Sequence, residues 1–223
     1  MLSLKQAASL DNYIPGDNIQ AISEITDSSK IISGKYLYLW GSSNIGKTHL
    51  ATAAAKMASD NGLPAAFIPL SRAAELSPEM LDDIEQMGLI CLDDIHTIAG
   101  NQPWEEALFH LFNRAKEQGT NLIITSDSSP SNLQIHLPDL VSRLASGTGY
   151  RLVPLDDTAK IRLLTDKADE RGMELSPETA SYILKNYSRN ISSLLNFLDQ
   201  LDRASLAAQR KLTIPFVRDL LGA

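Results

Sequence analysis

Eight consecutive residues decide the fold that we expect for this chain: Gly41-Ser42-Ser43-Asn44-Ile45-Gly46-Lys47-Thr48. The spacing Gly-x4-Gly-Lys-Thr is that of a phosphate-binding loop, and an apolar strand pattern precedes it while a helical pattern follows it. The glycines let backbone N–H groups point at an anion, and the helix N-terminus adds a partial positive charge. A plain turn between a strand and a helix is the alternative interpretation.

Within this loop, we expect Lys47 to reach the outer phosphates of a nucleotide and Thr48 to hold Mg²⁺. The residues that we assign to nucleotide binding here are Ser43, Asn44, Ile45, Gly46, Lys47, Thr48 and His49. The expected ligand is ADP, another nucleoside diphosphate or ATP, together with Mg²⁺.

A second motif is acidic: the apolar run 89–92 is followed by Asp93 and Asp94. Paired carboxylates after a strand have the form of a Walker B element, in which Asp93 orders Mg²⁺ through water and Asp94 polarises the attacking water. By itself this motif is weak, because strands commonly end in polar turns. Downstream of a phosphate-binding loop it predicts a nucleotide site.

The composition limits the classes of function. Hydrophobic residues make up 43% of the chain and charged residues 21%, and no apolar run approaches the length that spans a bilayer. The start shows no leader pattern and Cys91 is the single cysteine, so we expect a cytoplasmic protein without a membrane partner. The four histidines share no ligand spacing, and the net charge of −7 argues against stable direct DNA binding by this chain alone.

Strand and helix patterns alternate up to residue 154, and only helical patterns follow. We predict strands at 35–40, 65–70, 89–92, 121–125 and 150–154. Helices are predicted at 47–61, 78–87, 103–118, 138–145, 156–171, 176–187, 190–208 and 213–221. This pattern indicates an α/β fold, a parallel five-stranded sheet covered by helices, followed by a small all-helical lid. The expected divisions are a flexible segment at 1–12, a nucleotide-binding domain at 13–155 and the lid at 156–223.

Four stretches resemble the AAA+ ATPases of the DnaA group of bacterial replication proteins: 41–49, 92–100, 123–130 and 140–144. The closing stretches 198–205 and 209–217 are similar to those of family members that inactivate DnaA after replication has started. The chain ends at Ala223, just after the expected lid, without residues for the helix-turn-helix domain of the initiators. The resemblance therefore implies action on another protein rather than on origin DNA.

The resemblance also implies roles for two further residues. Asp127 matches the sensor 1 position, where a polar side chain detects the γ-phosphate; capping of the turn 127–130 is the alternative. Arg143 matches the arginine finger, which stabilises transition-state charge in a neighbouring subunit. An i,i+4 ion pair with Asp139 is the alternative for Arg143.

Three segments bear on the ligand and the partners. Ser192 stands where the family's nucleotide-sensing arginine is expected, and Arg189 could substitute only if its helix started earlier; we therefore expect a bound diphosphate and slow intrinsic turnover. The segment 13–18 resembles the family's stretch that meets the base of the nucleotide, and we assign Ile14 and Asn18 to contacts with that base. Leu2-Ser3-Leu4 lacks the glutamine and the proline of the family's peptide for the DNA polymerase sliding clamp.

Three hypotheses follow. The first is a regulator that promotes hydrolysis of DnaA-bound ATP together with the sliding clamp, prevents re-initiation, and is itself at most a weak ATPase. The second is a helicase-loader-like or autonomous ATPase, which needs complete machinery in its own site. The third is a nucleotide-gated adaptor without a catalytic contribution. Self-association is left open, and partners would bring the protein to the nucleoid.

Overall fold

The computed structural model describes residues 8–10 and 13–222. In this part of the chain, five parallel strands form one sheet in the order β2-β3-β4-β1-β5. The strands are β1 (Tyr36–Trp40), β2 (Ala65–Pro69), β3 (Leu89–Asp93), β4 (Asn121–Ser126) and β5 (Thr148–Arg151). The prediction of a parallel five-stranded sheet covered by helices and followed by a helical region is confirmed.

The described chain forms two compact units, which divide between Val153 and Pro154. The helices of the first unit are α1 (Ile19–Ser28), α2 (Lys47–Asp60), α3 (Gln102–Gln118) and α4 (Pro138–Ala145). Those of the second unit are α5 (Asp157–Asp169), α6 (Pro177–Asn186), α7 (Ile191–Ala208) and α8 (Ile214–Leu221). Among the described helices, none combines the length and the apolar character of a membrane-spanning segment.

Helices cover both faces of the sheet of the first unit, so its central strands are buried on both sides. Side chains of successive strand residues point to opposite faces. On β3, Leu89 and Cys91 pack with α1 and α2, whereas Ile90 and Leu92 pack with α3 and α4. Burial raises the pKa of the Cys91 thiol. Cys91 is therefore a core residue, as its place in an apolar run predicts.

The second unit has its own apolar core, which includes Leu194, Leu198 and Leu201 from α7. Side chains cap the N-termini of α5, α6 and α7: Asp156 accepts from Ala159 N–H, Ser176 from Thr179 N–H and Asn190 from Ser193 N–H. These caps satisfy helix donors that have no partner within the helix.

Two local predictions are wrong, and one helix was not predicted. Residues 78–87 form two short 3₁₀ turns instead of a helix, because Asp82 is extended and Asp83 has a left-handed φ of 62°. α1 was not predicted; its β-branched residues lower helix propensity, and Asn18 does not cap it. β5 lies earlier than predicted, at exposed polar residues of an edge strand.

Candidate functional site

Three strand ends meet at one edge of the sheet of the first unit. β4 pairs with both β1 and β3, and all three strands run parallel. The loop that follows β1, the acids at the end of β3 and the polar end of β4 therefore lie together. In open α/β sheets, the carboxyl ends of the strands are where ligands bind.

The loop after β1 has the geometry of an anion-binding turn. Asn44 and Gly46 have left-handed φ angles of 62° and 101°, and α2 begins immediately afterwards at Lys47. No described side chain caps the N-terminus of α2, so its first N–H groups stay available to a ligand. Ser43 and Asn44 are exposed at the loop surface, whereas Ile45 anchors the loop in the core.

Lys47 is buried and held by its own loop. Its Nζ donates to the backbone oxygens of Gly41 at 2.9 Å and Ser42 at 3.1 Å. Burial lowers the pKa of Lys47, and the nearby carboxylates, Asp94 foremost, oppose that shift. The ammonium thus sits at the loop with carbonyl partners that a phosphate could replace.

Thr48 and Asp93 bring a hydroxyl and a carboxylate together next to the loop. Thr48 Oγ1 donates to Asp93 Oδ2 at 2.8 Å. Burial raises the pKa of Asp93, while hydrogen bonds from Thr125 and Thr48 act in the opposite direction. Mg²⁺ takes few protein oxygens and keeps water and phosphate ligands, so one hydroxyl and one carboxylate fit it. No cluster of three or more His, Cys, Asp or Glu residues that could hold a metal occurs in the described ranges.

Thr125, on β4, joins the two acids and was not singled out from the sequence. Its Oγ1 donates to Asp93 Oδ1 at 2.6 Å and accepts from the backbone N–H of Asp94 at 2.8 Å. Asp94 has a left-handed φ of 58°, which costs energy for a residue other than glycine. Thr125 therefore holds Asp94 in the conformation that turns the chain out of β3.

His96 lies between Asp94 and Asp127. Its Nδ1 is 4.0 Å from Asp94 Oδ1, and its Nε2 is 3.8 Å from Asp127 Oδ2. Asp127 Oδ1 accepts from Ser128 Oγ at 2.9 Å, while the Ser128 backbone N–H faces Ser126 Oγ at 3.4 Å. Asp127 is half-exposed next to the acids, so its geometry is compatible with sensing a phosphate and with supporting the turn.

The segment before α1 lies against the phosphate-binding loop. A Cβ added to Gly46 would lie 2.8 Å from Cε2 of Tyr13, and the rings of Tyr13 and His49 are 5.7 Å apart between centroids. Burial raises the pKa of Tyr13 to about 12. From the sequence, the segment 13–18 was placed at the nucleotide, but Ile14 and Asn18 were assigned and Tyr13 was not.

Ile14 and Asn18 differ in what they offer a base. Ile14 is partly buried, and its side chain is apolar. The amide of Asn18 is engaged with the backbone of Val153: Nδ2 donates to the oxygen at 2.9 Å, and Oδ1 accepts from the N–H at 2.7 Å. The amide of Asn18 is thus already engaged, whereas Ile14 offers an apolar contact to a base.

Arg143 lies on α4 and is partly exposed. The alternative ion pair with Asp139 is not formed, and no residue in the described ranges accepts a hydrogen bond or ion pair from its guanidinium. None of the described contacts joins Arg143 to the group formed by Lys47, Thr48 and Asp93. Its guanidinium is therefore available to a ligand or to another protein.

In the second unit, the start of α7 bears on the missing sensor arginine. α7 begins at Ile191 behind the cap Asn190, so Ser192 lies in its first turn and Arg189 lies outside the helix. Arg189 Nη2 is 3.1 Å from Asp157 Oδ2. Because α7 does not start earlier than Ile191, Arg189 does not take the place of the missing sensor arginine.

Leu2, Ser3 and Leu4, the proposed clamp-binding fragment, lie outside the described residues.

Comparison with known proteins yields two family matches and a common fold. The family model of the bacterial DnaA ATPase domain matches residues 74–150, and that of the Hda lid domain matches residues 157–221. Domain III of the replication initiation protein DnaA from Thermotoga maritima superposes with a TM-score of 0.82 at 21% identity, covering 99% of this chain and 98% of that one.

Two longer structures have the same fold. A DNA replication initiation factor gives a TM-score of 0.78 at 24% identity, over 92% of this chain and 67% of that chain. AMPPCP-bound DnaA from Aquifex aeolicus gives 0.74 at 24% identity, over 89% and 66%. The present chain thus spans about two thirds of the length of these two proteins, and the likeness to them establishes the fold.

Proposed function

We propose that this chain is a regulator of DnaA that promotes hydrolysis of the ATP bound there, and the matches to the models of the DnaA ATPase domain and the Hda lid domain support the proposal. The DnaA-like match in the first unit supports a module that can pack beside a similar module. The Hda-type lid supports the regulator rather than the initiator. Such a regulator would act in the cytoplasm at the nucleoid and would prevent re-initiation.

The observation that carries this proposal is the guanidinium of Arg143, which has no partner in the described ranges. A planar guanidinium that enters a neighbour's nucleotide site neutralises charge that develops on the transferred phosphoryl group. Arg114, by contrast, is paired with Glu85 at 3.0 Å. Arg143 would thus act in trans on the nucleotide of DnaA.

In its own site, the chain would bind a nucleotide through the loop residues 43–49 and Ile14. AMPPCP bound to the Aquifex protein supports a nucleotide ligand for this fold. Thr48 and Asp93 would hold Mg²⁺, which neutralises phosphate charge when it is bound. Ser192 in place of an arginine favours ADP as the resting ligand. In this role the nucleotide would serve mainly to stabilise the folded chain.

The sliding clamp is the proposed platform on which the two proteins meet. The fragment Leu2-Ser3-Leu4 is the proposed contact. The clamp on DNA would then hold this chain close to DnaA, which raises their effective concentration.

The second candidate function is an autonomous ATPase. It is favoured by Asp94, which stands next to the proposed metal ligand Asp93 and is oriented by Thr125. The two functions are separated by following labelled ATP that is pre-bound to DnaA, with clamp and DNA, in the presence and absence of this chain. The regulator accelerates loss of that label, whereas the autonomous enzyme hydrolyses only free ATP. Unchanged decay of the DnaA-bound label would contradict the regulator.

A further inference from the structure

Glu105, in the first turn of α3, is a buried carboxylate with only 1% of its surface exposed. Its Oε1 accepts from the backbone N–H of Gly100 at 2.7 Å and of His136 at 3.1 Å. Its Oε2 accepts from the N–H of His136 and of Leu137, both at 2.9 Å. No lysine, arginine or histidine side chain of the described residues forms an ion pair with it.

A carboxylate removed from water is costly unless hydrogen bonds replace its hydration. Three backbone N–H groups do so here, and bonds between an amide and an ionised acceptor are stronger than neutral ones. The donors come from two separate segments, so one side chain ties both segments to α3. A surface glutamate on this helix would not need such partners.

The first segment tied by Glu105 leads into the helix that carries Arg143. His136 and Leu137 immediately precede Pro138, the first residue of α4. Tyr36 on β1 fixes the other end, because its hydroxyl donates to the backbone oxygen of Leu144 at 3.0 Å. Buried Leu140 and Leu144 hold one face of α4 in the core. The direction in which α4 presents Arg143 is therefore determined by contacts at both ends.

The second segment comes from the proposed nucleotide site. Gly100 follows the 3₁₀ turn Ile95–Ile98, whose N-cap residue is Asp94. Gly100 has a left-handed φ of 81°, and a Cβ there would lie 3.7 Å from Cε1 of His136. The turn after the acids and the loop before α4 thus meet at Glu105.

We propose that Glu105 is a positioning residue for Arg143, which locks the loop before α4 to the turn that follows Asp94. This inference rests on the proposed function, because it assigns the trans activity to a fixed orientation of Arg143. Among the described residues, Glu105 forms no hydrogen bond or ion pair with Lys47, Thr48 or Asp93. If nucleotide exchange moved the turn after Asp94, the loop before α4 would move with it, because Glu105 links the two.

The test is Glu105→Gln, which keeps the shape of the side chain but places an amide against N–H donors. Glu85→Gln is the matched control, because Glu85 is also poorly exposed and contacts α3, through Arg114, but does not touch the loop before α4. Hydrogen exchange of the full chain should show faster exchange at His136 and Leu137 in Glu105→Gln only. Unchanged protection at these two amides would overturn the proposal.

The functional readout is hydrolysis of DnaA-bound ATP as a function of the concentration of this chain. We expect Glu105→Gln to lower the maximal rate about tenfold, since small misplacements of a catalytic group have large effects on rate. The half-saturating concentration should stay unchanged. Adding Glu105→Gln to Arg143→Ala should cause no further loss; additive losses would show that Glu105 acts independently and would overturn the proposal.

The two variants distinguish a failure of the proposed function from a failure of the role of Glu105. If Arg143→Ala keeps the full stimulated rate, the proposed function fails. If Arg143→Ala loses that rate while Glu105→Gln keeps it, only the role of Glu105 fails. Should Glu105→Gln lose the fold, as judged by thermal unfolding, Glu105→Asp takes its place, because it keeps the charge and withdraws it by one methylene.

Discussion

Replacing Thr125 with valine tests whether one hydroxyl organises the two acids of the candidate site. Valine has nearly the same shape, so the substitution removes two hydrogen bonds with little change in packing. The Asp94 N–H loses its acceptor at 2.8 Å, and Asp93 Oδ1 loses its donor at 2.6 Å. Thr125 is fully buried, so water cannot readily replace either partner.

The expected cost follows from these two bonds. A buried donor without a partner costs about 1–3 kcal/mol, and a lost bond to a charged group costs about 1.5–3 kcal/mol. Because local relaxation recovers part of this, we expect the free energy of unfolding to fall by about 3 kcal/mol. Since the Thr125 bond lowers the pKa of Asp93, that pKa should also rise in the variant.

Chemical denaturation of the full chain measures the loss, and Thr125→Ser is the control, because serine keeps the hydroxyl. We expect the serine variant to retain most of the stability and all of the nucleotide binding. A valine variant within about 0.5 kcal/mol of the original chain, which is the usual range of neutral surface changes, would refute the reasoning.

Three further predictions concern the nucleotide, the acid and the terminus. Lys47→Ala should abolish binding of ADP with Mg²⁺ in calorimetry; binding of ATP a hundredfold tighter than ADP by the original chain, about 2.7 kcal/mol, would contradict the missing-sensor argument. Burial raises the pKa of folded Asp93, so its contribution to stability is present at low pH and lost as pH rises through that pKa. The stability of the original chain relative to Asp93→Asn should therefore increase as the pH falls, and the substitution should weaken Mg²⁺-dependent nucleotide binding; a stability difference that does not change with pH would contradict this. Deleting residues 1–6 should remove clamp binding without changing nucleotide affinity; surviving clamp binding would place the contact elsewhere.

Patterns that repeat along the chain predicted the architecture well. The phosphate-binding loop, the apolar runs and the proline-started helices such as α4 are local signals, and the structure contains the corresponding elements. α1 was not predicted, although its buried residues Ala21, Ile25 and Ser28 recur at helical spacing, and no side chain caps its start. Asn18, the natural cap, bonds to Val153 across the fold instead, and the isoleucines of α1 are poor helix formers.

The same distinction applies to the candidate site. Lys47, Thr48 and Asp93 belong to motifs with fixed spacing, and the fold brings Thr48 and Asp93 within hydrogen-bonding distance. Thr125 and Glu105 act through partners that are distant in sequence, so no spacing rule identifies them. Only the register of β4 against β3 puts a threonine beside the acids.

The most direct test of the central claim is single-turnover decay of labelled ATP on DnaA, with clamp, DNA and either the original chain or Arg143→Ala. We expect the alanine variant to bind nucleotide and clamp normally but to slow the stimulated decay by about tenfold or more, as loss of transition-state charge stabilisation does. Arg143→Lys should restore little, because an ammonium lacks the planar fork. Full stimulation by the alanine variant would contradict the account, and weaker binding to DnaA with a normal rate in the complex would reduce Arg143 to an interface contact.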